Sequence, residues 1–168
     1  QYSQLAYDVL VLVSAPAEKS QRVTKDGKVI TPEIAKRILE LYTNDLGNVD
    51  IQISPIPSPV GAAYAALEEI SSDPPRTAVG KPKVVLGASK KDNDWKRWLG
   101  AAEWAVKQGL DIEVMDPALT AVDIVACPDG CPYSASNIRD NFDDPLAIAR
   151  DIPDHVDPEA VNAILASI

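Results

Sequence analysis

Short runs of apolar, mostly β-branched residues alternate with segments of helical periodicity, and this alternation constrains the fold more than any other feature. Five runs read as strands, and the first and third of them have the composition of strands buried on both faces. They are DVLVLVS (8–14), VDIQIS (49–54), KVVLGAS (83–89), LDIEVM (110–115) and AVDIVAC (121–127). Strands that alternate with helices predict an α/β protein. The specific expectation is a Rossmann-like three-layer sandwich around a mainly parallel sheet.

The segments between the strands carry helix-boundary signals. Thr31 has the position of an N-cap before TPEIAKRILELYT, and VGAAYAALEEIS (60–71) has apolar residues on one helical face. The segment 92–109 reads as one helix, with Trp95, Trp98, Leu99 and Ala102 on one stripe and Gly109 as its C-terminal cap. These signals predict helices that cover the sheet.

Size and composition indicate one globular domain over residues 1–168, with a helical C-terminal tail from about residue 143. The chain has 168 residues, of which 46% are hydrophobic and 24% charged. No apolar run is long enough to predict a membrane span. The net charge of −9 argues against general nucleic-acid binding, because the phosphate backbone attracts basic surfaces. These features predict a cytoplasmic protein or a component of a virus particle.

Metal-binding signals are weak in this sequence. Cys127 and Cys131 are too few for a disulfide scaffold, so free thiols are favoured over a local disulfide. His155 is the single histidine, and it lies far from both cysteines in the sequence. The aspartates between 140 and 157 match no calcium loop and read as solvated turns and helix starts. The sequence therefore predicts no metal held by protein ligands alone.

Parallel α/β sheets bind ligands at the carboxyl ends of their strands. In this chain the rule singles out four loops. They are Ser14–Ile30, Ser54–Pro59, Gly87–Asp94 and Cys127–Arg139.

The last of these loops contains a candidate phosphate site. If Ser134 caps a helix, the amides that follow it and the positive end of the helix dipole favour an anion. Ser136 lies in the same turn, and Arg139 could bring a forked cation to the same phosphate. The alternative is a plain serine cap with Arg139 paired to Asp140 or Asp143. Both interpretations fit the spacing.

The loop after the first strand, residues 14–30, is called the basic loop here. It holds Lys19, Arg22, Lys25 and Lys28 within ten residues of an otherwise acidic chain. Such a cluster at the end of a strand could attract an anionic ligand, whereas the alternative is a solvated loop with a turn at Asp26-Gly27.

The loop after the third strand contains a glycine and two aspartates that are candidates for a ligand site or a helix cap. Gly87 would allow a ligand to approach the backbone closely. Asp92 or Asp94 could simply cap the helix that follows.

Taken together, these segments resemble the nucleotidyltransferase superfamily with the HIGH-type signature, which includes cytidylyltransferases and nicotinamide-mononucleotide adenylyltransferases, among them phage relatives. YSASNIR (133–139) looks like the I-S-x-T-x-x-R motif of that family, with Tyr133 for Ile and Ser136 for Thr. The first strand with the basic loop, and KVVLGASKKDNDWKRW, resemble two further family segments. The likeness covers nearly the whole chain through short, degenerate motifs.

The resemblance implies binding of a nucleoside triphosphate, ATP or CTP, together with Mg²⁺. The phosphate-holding roles would fall on Ser134, Ser136 and Arg139, with Lys19 or Arg22 from the basic loop and Gly87 nearby. In the parent protein, a phosphate-bearing acceptor would attack the α-phosphorus and release pyrophosphate.

One departure from the family is plain. The family's first βα unit, with its histidine-x-glycine-histidine motif, should precede YDVLVLVS, and His155 lies in the wrong context to replace it. We therefore expect this chain alone to be inactive. A separate N-terminal chain or a neighbouring subunit, including a second copy, would complete the fold.

Two other classes of function are compatible with the same residues. The fold could be reused as a non-catalytic structural or assembly module, for example in a phage particle. A flavodoxin-like module would bind a small molecule independently of Arg139 and Mg²⁺.

Overall fold

The computed structural model describes residues 2–75, 79–123 and 135–168, and it divides the chain into two compact units. The first unit comprises residues 1–7 and 58–124, and the second comprises residues 8–57 and 125–168. The assignment of residues 1–168 to a single domain stays a prediction.

The second unit is built on a β-α-β crossover. Its elements are β1 (Val9–Val13), a 3₁₀ turn (Glu18–Ser20), β2 (Arg22–Val23), β3 (Val29–Ile30), α2 (Pro32–Thr43), β4 (Val49–Ile53), α6 (Ala135–Asp140), α7 (Pro145–Ala149) and α8 (Pro158–Ala166). Strands β1 and β4 pair in parallel over their full length, from Val9 opposite Val49 to Val13 opposite Ile53. This pairing is compatible with the mainly parallel sheet that the sequence predicts.

Helix α2 forms as the sequence predicts. The Thr31 hydroxyl accepts a hydrogen bond from the Ile34 amide at 3.4 Å, and Pro32 occupies the first turn. The core of the second unit joins this helix to the C-terminal helices. Its buried residues are Ile34, Phe142, Ile148, Ile152, Val156, Val161, Ile164 and Leu165. The segment 143–168 is helical as predicted, but it supplies most of a core and is therefore not a peripheral tail.

The first unit contains a second, much shorter parallel ladder. Its elements are α1 (Tyr2–Leu5), α3 (Pro59–Ser72), β5 (Lys83–Val84), a 3₁₀ helix (Lys91–Trp98), α4 (Ala101–Lys107), β6 (Glu113–Val114) and α5 (Pro117–Thr120). Strands β5 and β6 pair in parallel, and Ser89 forms a separate parallel bridge with Val122. The described residues thus form α/β units with short parallel sheets.

The segment 92–109 differs from the single helix predicted for it. Residues Lys91–Trp98 form a 3₁₀ helix, and the α-helix begins only after Gly100. Two features of the sequence explain the break. Gly100 is a weak helix former, and Asn93 adopts a left-handed conformation with φ of 58°.

Two details of this segment agree with the predictions. Gly109 ends α4 with φ of 69°, and the Leu110 amide donates to the Ala105 carbonyl, as in a Schellman cap. Trp98 is 5% exposed and belongs to the core, as its position on the stripe predicts. Leu99 is 58% exposed and Ala102 is also exposed, so the stripe as a whole was wrong, because the 3₁₀ segment and the break at Gly100 change which residues share a face.

Among the described residues, no helix combines the length and the apolar character that a membrane span requires.

Candidate functional site

Part of the basic loop folds into a small antiparallel hairpin, which the sequence reading missed by treating residues 15–30 as irregular. Strands β2 and β3 pair Arg22 with Ile30 and Val23 with Val29. The Thr24 amide donates to the Lys28 carbonyl at 2.8 Å, which leaves a three-residue connection. Gly27 takes φ of 85°, the left-handed conformation that this type of hairpin loop requires. The turn expected at Asp26-Gly27 is therefore present.

The tip of the hairpin contacts helix α6. The Lys25 amide donates a hydrogen bond of 3.4 Å to the carbonyl of Arg139. Carbonyls in the last turn of a helix lack a partner within the helix, so this bond satisfies one of them. Beside it, the Lys28 ammonium lies 5.8 Å from the centre of the Phe142 ring, within range of a cation–π contact. The structure thus brings the basic loop to the end of the predicted phosphate motif.

The Arg139 side chain folds back over the first turn of its own helix. Its Nη2 donates to the Ser136 hydroxyl at 2.8 Å, and its Nη1 donates to the Ala135 carbonyl at 3.1 Å. The predicted pairing of Arg139 with Asp140 or Asp143 is absent, since no described carboxylate lies within ion-pair distance of the guanidinium. A guanidinium has five N–H donors, so bonds to two neutral oxygens leave capacity for an anion.

The remaining cations of the basic loop differ in their charge partners. Lys28 lies 3.8 Å from the Asp26 carboxylate and is partly neutralised by it. Lys19, Arg22 and Lys25 are exposed, and none of them has an acidic partner within 4.0 Å in the described part of the chain. Lys25 and Arg139 therefore belong to segments that a backbone hydrogen bond joins, and neither side chain has an acidic partner within 4.0 Å among the described residues.

The carboxyl ends of β1 and β4 start two of the predicted ligand loops side by side. The Ser54 amide donates to the Val13 carbonyl at 2.8 Å, so the ladder continues into the start of the second loop. Ser54 itself is buried, and its hydroxyl is used within the loop, donating to the Ile56 carbonyl and accepting from the Ile56 amide. This serine shapes the loop and does not face a ligand.

Gly87 belongs to the first unit, whereas Arg139 and the basic loop belong to the second unit. A Cβ atom built on Gly87 would lie 3.5 Å from the ring of Tyr2. The Tyr2 hydroxyl in turn donates to the carbonyl oxygens of Ala88 and Thr120, each at 3.0 Å. A protein side chain therefore occupies the space next to Gly87, and its role in ligand binding stays a prediction.

Several predicted residues fall outside the described part of the chain. Ser134, Cys127 and Cys131 are among them, so the capping role of Ser134 and the state of the thiols stay predictions. Helix α6 is described from Ala135 onward.

Two aspartates of the C-terminal segment, Asp144 and Asp157, act as helix caps, which agrees with the helix starts predicted there. Asp144 accepts from the amides of Leu146 and Ala147, and Asp157 accepts from the amide of Glu159. Among the residues that the structure describes, no group of three or more His, Cys, Asp or Glu side chains could hold a metal ion.

Sequence reasoning also missed two contacts that surround α6 and α2. The Asn137 amide group donates to the Asp151 carboxylate at 2.5 Å, linking α6 to the segment after α7. The His155 Nε2 lies 3.0 Å from the Tyr42 carbonyl in the last turn of α2. His155 therefore contacts a helix end, and it does not approach the Arg139 region through any described hydrogen bond. Neither contact has a sequence signal, because each joins residues distant in the chain.

The surroundings of Asp26 and of Tyr42 in this unit alter the titration of these side chains. A hydrogen bond from Thr24, helped by the charge of Lys28, lowers the pKa of Asp26. Burial, with a smaller contribution from the negative charge of Asp151, raises the pKa of Tyr42 to about 12. Both shifts favour the forms present at neutral pH, an ionised Asp26 and a neutral Tyr42.

No protein-family model, curated protein or solved structure matches this chain. The resemblance to nucleotidyltransferases consequently depends on the quoted motifs alone.

Proposed function

We propose that the second unit binds the polyphosphate of a nucleoside triphosphate through Arg139 and the cations of the basic loop. The observation that carries the proposal is the hydrogen bond between the Lys25 amide and the Arg139 carbonyl. This bond joins the basic loop to the predicted phosphate motif, which the sequence indicates as two separate candidates. Each segment contributes a cation that has no acidic partner among the described residues. A polyphosphate carries several negative charges along its length, so cations supplied by two joined segments suit it.

The proposal includes a role in nucleotidyl transfer. The acceptor phosphate oxygen would form a bond to the α-phosphorus, while the bond from that phosphorus to the bridging oxygen breaks and pyrophosphate leaves. Catalysis of this type consists mainly of positioning and of charge stabilisation. Arg139 would hold the phosphates, with Ser136 orienting its guanidinium, and Lys19, Arg22 and Lys25 would balance the remaining charge.

The fit to Mg²⁺ follows from the same chemistry. This ion is commonly held by substrate phosphates and water with only one or two carboxylates, so a dedicated cluster of protein ligands is not needed. When bound, Mg²⁺ would supply counter-charge to the triphosphate. The side chains of this unit would bind and orient the phosphates.

We also propose that the fold is a Rossmann-like three-layer sandwich. Two β-α-β crossovers, β1-α2-β4 and β5-α4-β6, each with parallel strands, support a Rossmann-like arrangement. The proposal also keeps the need for a completing segment, either another chain or another subunit, because His155 lies against Tyr42 and supplies no imidazole to the phosphates. The protein would act in the cytoplasm or in a virus particle.

A non-catalytic assembly module is the second candidate. The observation that favours it is the internal use of Arg139, whose guanidinium already bonds to Ser136 and Ala135. In that case these bonds stiffen α6, and no nucleotide is needed.

Isothermal titration with ATP and CTP, with and without Mg²⁺, separates the two functions. We expect binding of at least one nucleotide, and a roughly ten- to hundredfold loss of affinity in Arg139→Ala, because a hydrogen bond to a charged group contributes about 1.5–3 kcal/mol. Arg37→Ala is the matched control, since it removes an equal charge from the exposed face of α2 in the same unit. Absence of nucleotide binding, together with stable self-association, would support the assembly module.

A further inference from the structure

Thr24 combines a hydroxyl group with almost complete burial. It is 3% exposed, and Thr24 and Ser54 are the two buried polar residues in the described part of the chain. A buried hydroxyl without a partner is costly, so its hydrogen bonds indicate what the residue is for. The local sequence does not predict this burial, because Thr24 lies between Val23 and Lys25 in a loop with several charged residues.

The Thr24 hydroxyl closes the turn of the hairpin from both sides. It donates to the Asp26 carboxylate in a short hydrogen bond, and it accepts from the Lys28 amide at 3.1 Å. The Thr24 carbonyl accepts from the Gly27 amide at 3.0 Å. These bonds hold both sides of the three-residue connection, and therefore fix the direction of the Lys25 amide.

The direction of the Lys25 amide matters because that N–H is the donor to the Arg139 carbonyl. In the three-residue loop, the Lys25 amide has no partner within the hairpin among the described bonds. A change in the turn would move Lys25 relative to Arg139. The basic loop would then separate from α6, although no cation had been altered.

We propose that Thr24 is the positioning residue of the phosphate site, acting through the turn to hold Lys25 beside Arg139. This inference deepens the proposed function and depends on it, since it names the residue that assembles the two halves of the same site. Thr24 itself touches no ligand. Its hydroxyl sets the turn, the turn sets the Lys25 amide, and the Lys25 amide joins the basic loop to α6.

Two substitutions separate the hydroxyl from the bulk of the side chain. Thr24→Val keeps the shape and removes both hydrogen bonds, whereas Thr24→Ser keeps the hydroxyl and removes a methyl group. Thr43→Val is the matched control, because the Thr43 hydroxyl bonds only to the Leu39 carbonyl within α2 of the same unit. All three variants leave every charge of the site in place.

The first measurement is the rate of hydrogen exchange at the Lys25 amide. It is measured by nuclear magnetic resonance in the ligand-free chain. We expect faster exchange of this amide in Thr24→Val, recovery in Thr24→Ser, and no change in Thr43→Val. Unchanged exchange in Thr24→Val overturns the inference, and so does equal acceleration across all amides of the unit, since that is global destabilisation.

The second readout is the affinity for ATP and for inorganic triphosphate, measured at two salt concentrations. We expect Thr24→Val to weaken both ligands by roughly three- to tenfold, which corresponds to one lost hydrogen bond, with a smaller salt dependence because one cation has moved away. Thr24→Ser should bind as the unaltered chain does, and equal binding by Thr24→Val overturns the inference. If the unaltered chain binds neither ligand, the proposed function fails, and the Lys25 amide alone then tests whether Thr24 sets the turn.

Discussion

At the scale of single residues, the important feature is positive charge that has no acidic partner among the described residues. Arg139 is held by two neutral oxygens, and Lys25 is adjacent to it through one backbone hydrogen bond. The spacing in the sequence suggested the role of Arg139 but could not show that Lys25 is its neighbour. A contact between residues that are more than one hundred positions apart leaves no periodic signal in one sequence.

Tyr42 provides a test at this scale that does not involve a ligand. Its pKa is raised to about 12, mainly by burial and secondarily by the charge of Asp151. Because the unfolded chain ionises near pH 10 and the folded chain does not, this contribution to stability is present below pH 10 and is lost as the pH rises toward 12.

We expect a phenolate absorbance titration to show one tyrosine that ionises late, and Tyr42→Phe to remove that step. Alkaline unfolding should begin at higher pH in Tyr42→Phe than in the unaltered chain. A late step that persists in Tyr42→Phe would contradict this assignment.

Asp26 provides the opposite sign of pH dependence. Its lowered pKa means that the hydrogen bond from Thr24 stabilises the ionised form, so this contribution is present above about pH 4 and is lost as the pH falls further. We expect the Lys25 amide to exchange faster, relative to other amides of the unit, when the pH is lowered through this range. The same acid dependence in Asp26→Asn would contradict a role for the Asp26 carboxyl.

At the scale of elements, local signals predicted boundaries better than they predicted partners. Thr31 begins α2 and Gly109 ends α4 because capping needs only neighbouring residues. The hairpin of β2 and β3 was missed because each strand has only two residues, which is too short to show an alternating pattern. The 3₁₀ segment before Gly100 was read as α-helix because its tryptophan spacing suits both kinds of helix.

The N-cap of α2 gives a prediction with a known magnitude. Thr31→Ala removes the acceptor of the Ile34 amide, and we expect a loss of about 1 kcal/mol in the free energy of unfolding. Thr31→Ser should restore most of it, as chemical denaturation would show. Equal stability of Thr31→Ala and the unaltered chain would mean that the cap does not contribute.

At the scale of the whole molecule, the α/β class followed from the alternation of strands and helices. The division of the chain into two units did not, because it depends on which segments pack together. The C-terminal helices pack on α2 and complete the core of the second unit, which no local pattern of residues 143–168 could reveal. The ligand loops were easier to predict than the two units, because the carboxyl ends of parallel strands meet at the same edge of a sheet.

The C-terminal core can be tested by substitution. Leu165 is 1% exposed in α8, whereas Leu146 is 84% exposed in α7. We expect Leu165→Ala to lower the free energy of unfolding by about 2–5 kcal/mol, and Leu146→Ala to change it by less than about 0.5 kcal/mol. Denaturant unfolding monitored by circular dichroism measures both, whereas the three tryptophans all lie in the first unit. Similar effects of the two substitutions would contradict this packing.

The central claim is that a polyphosphate binds where the basic loop meets α6. The most direct test is a titration of the isotope-labelled chain with ATP and Mg²⁺, followed residue by residue through the backbone amides. We predict that the amides of Lys25 and Arg139 shift together along one saturating curve while that of Arg37 stays in place. Saturable shifts located elsewhere, or no shifts at all, would contradict the account.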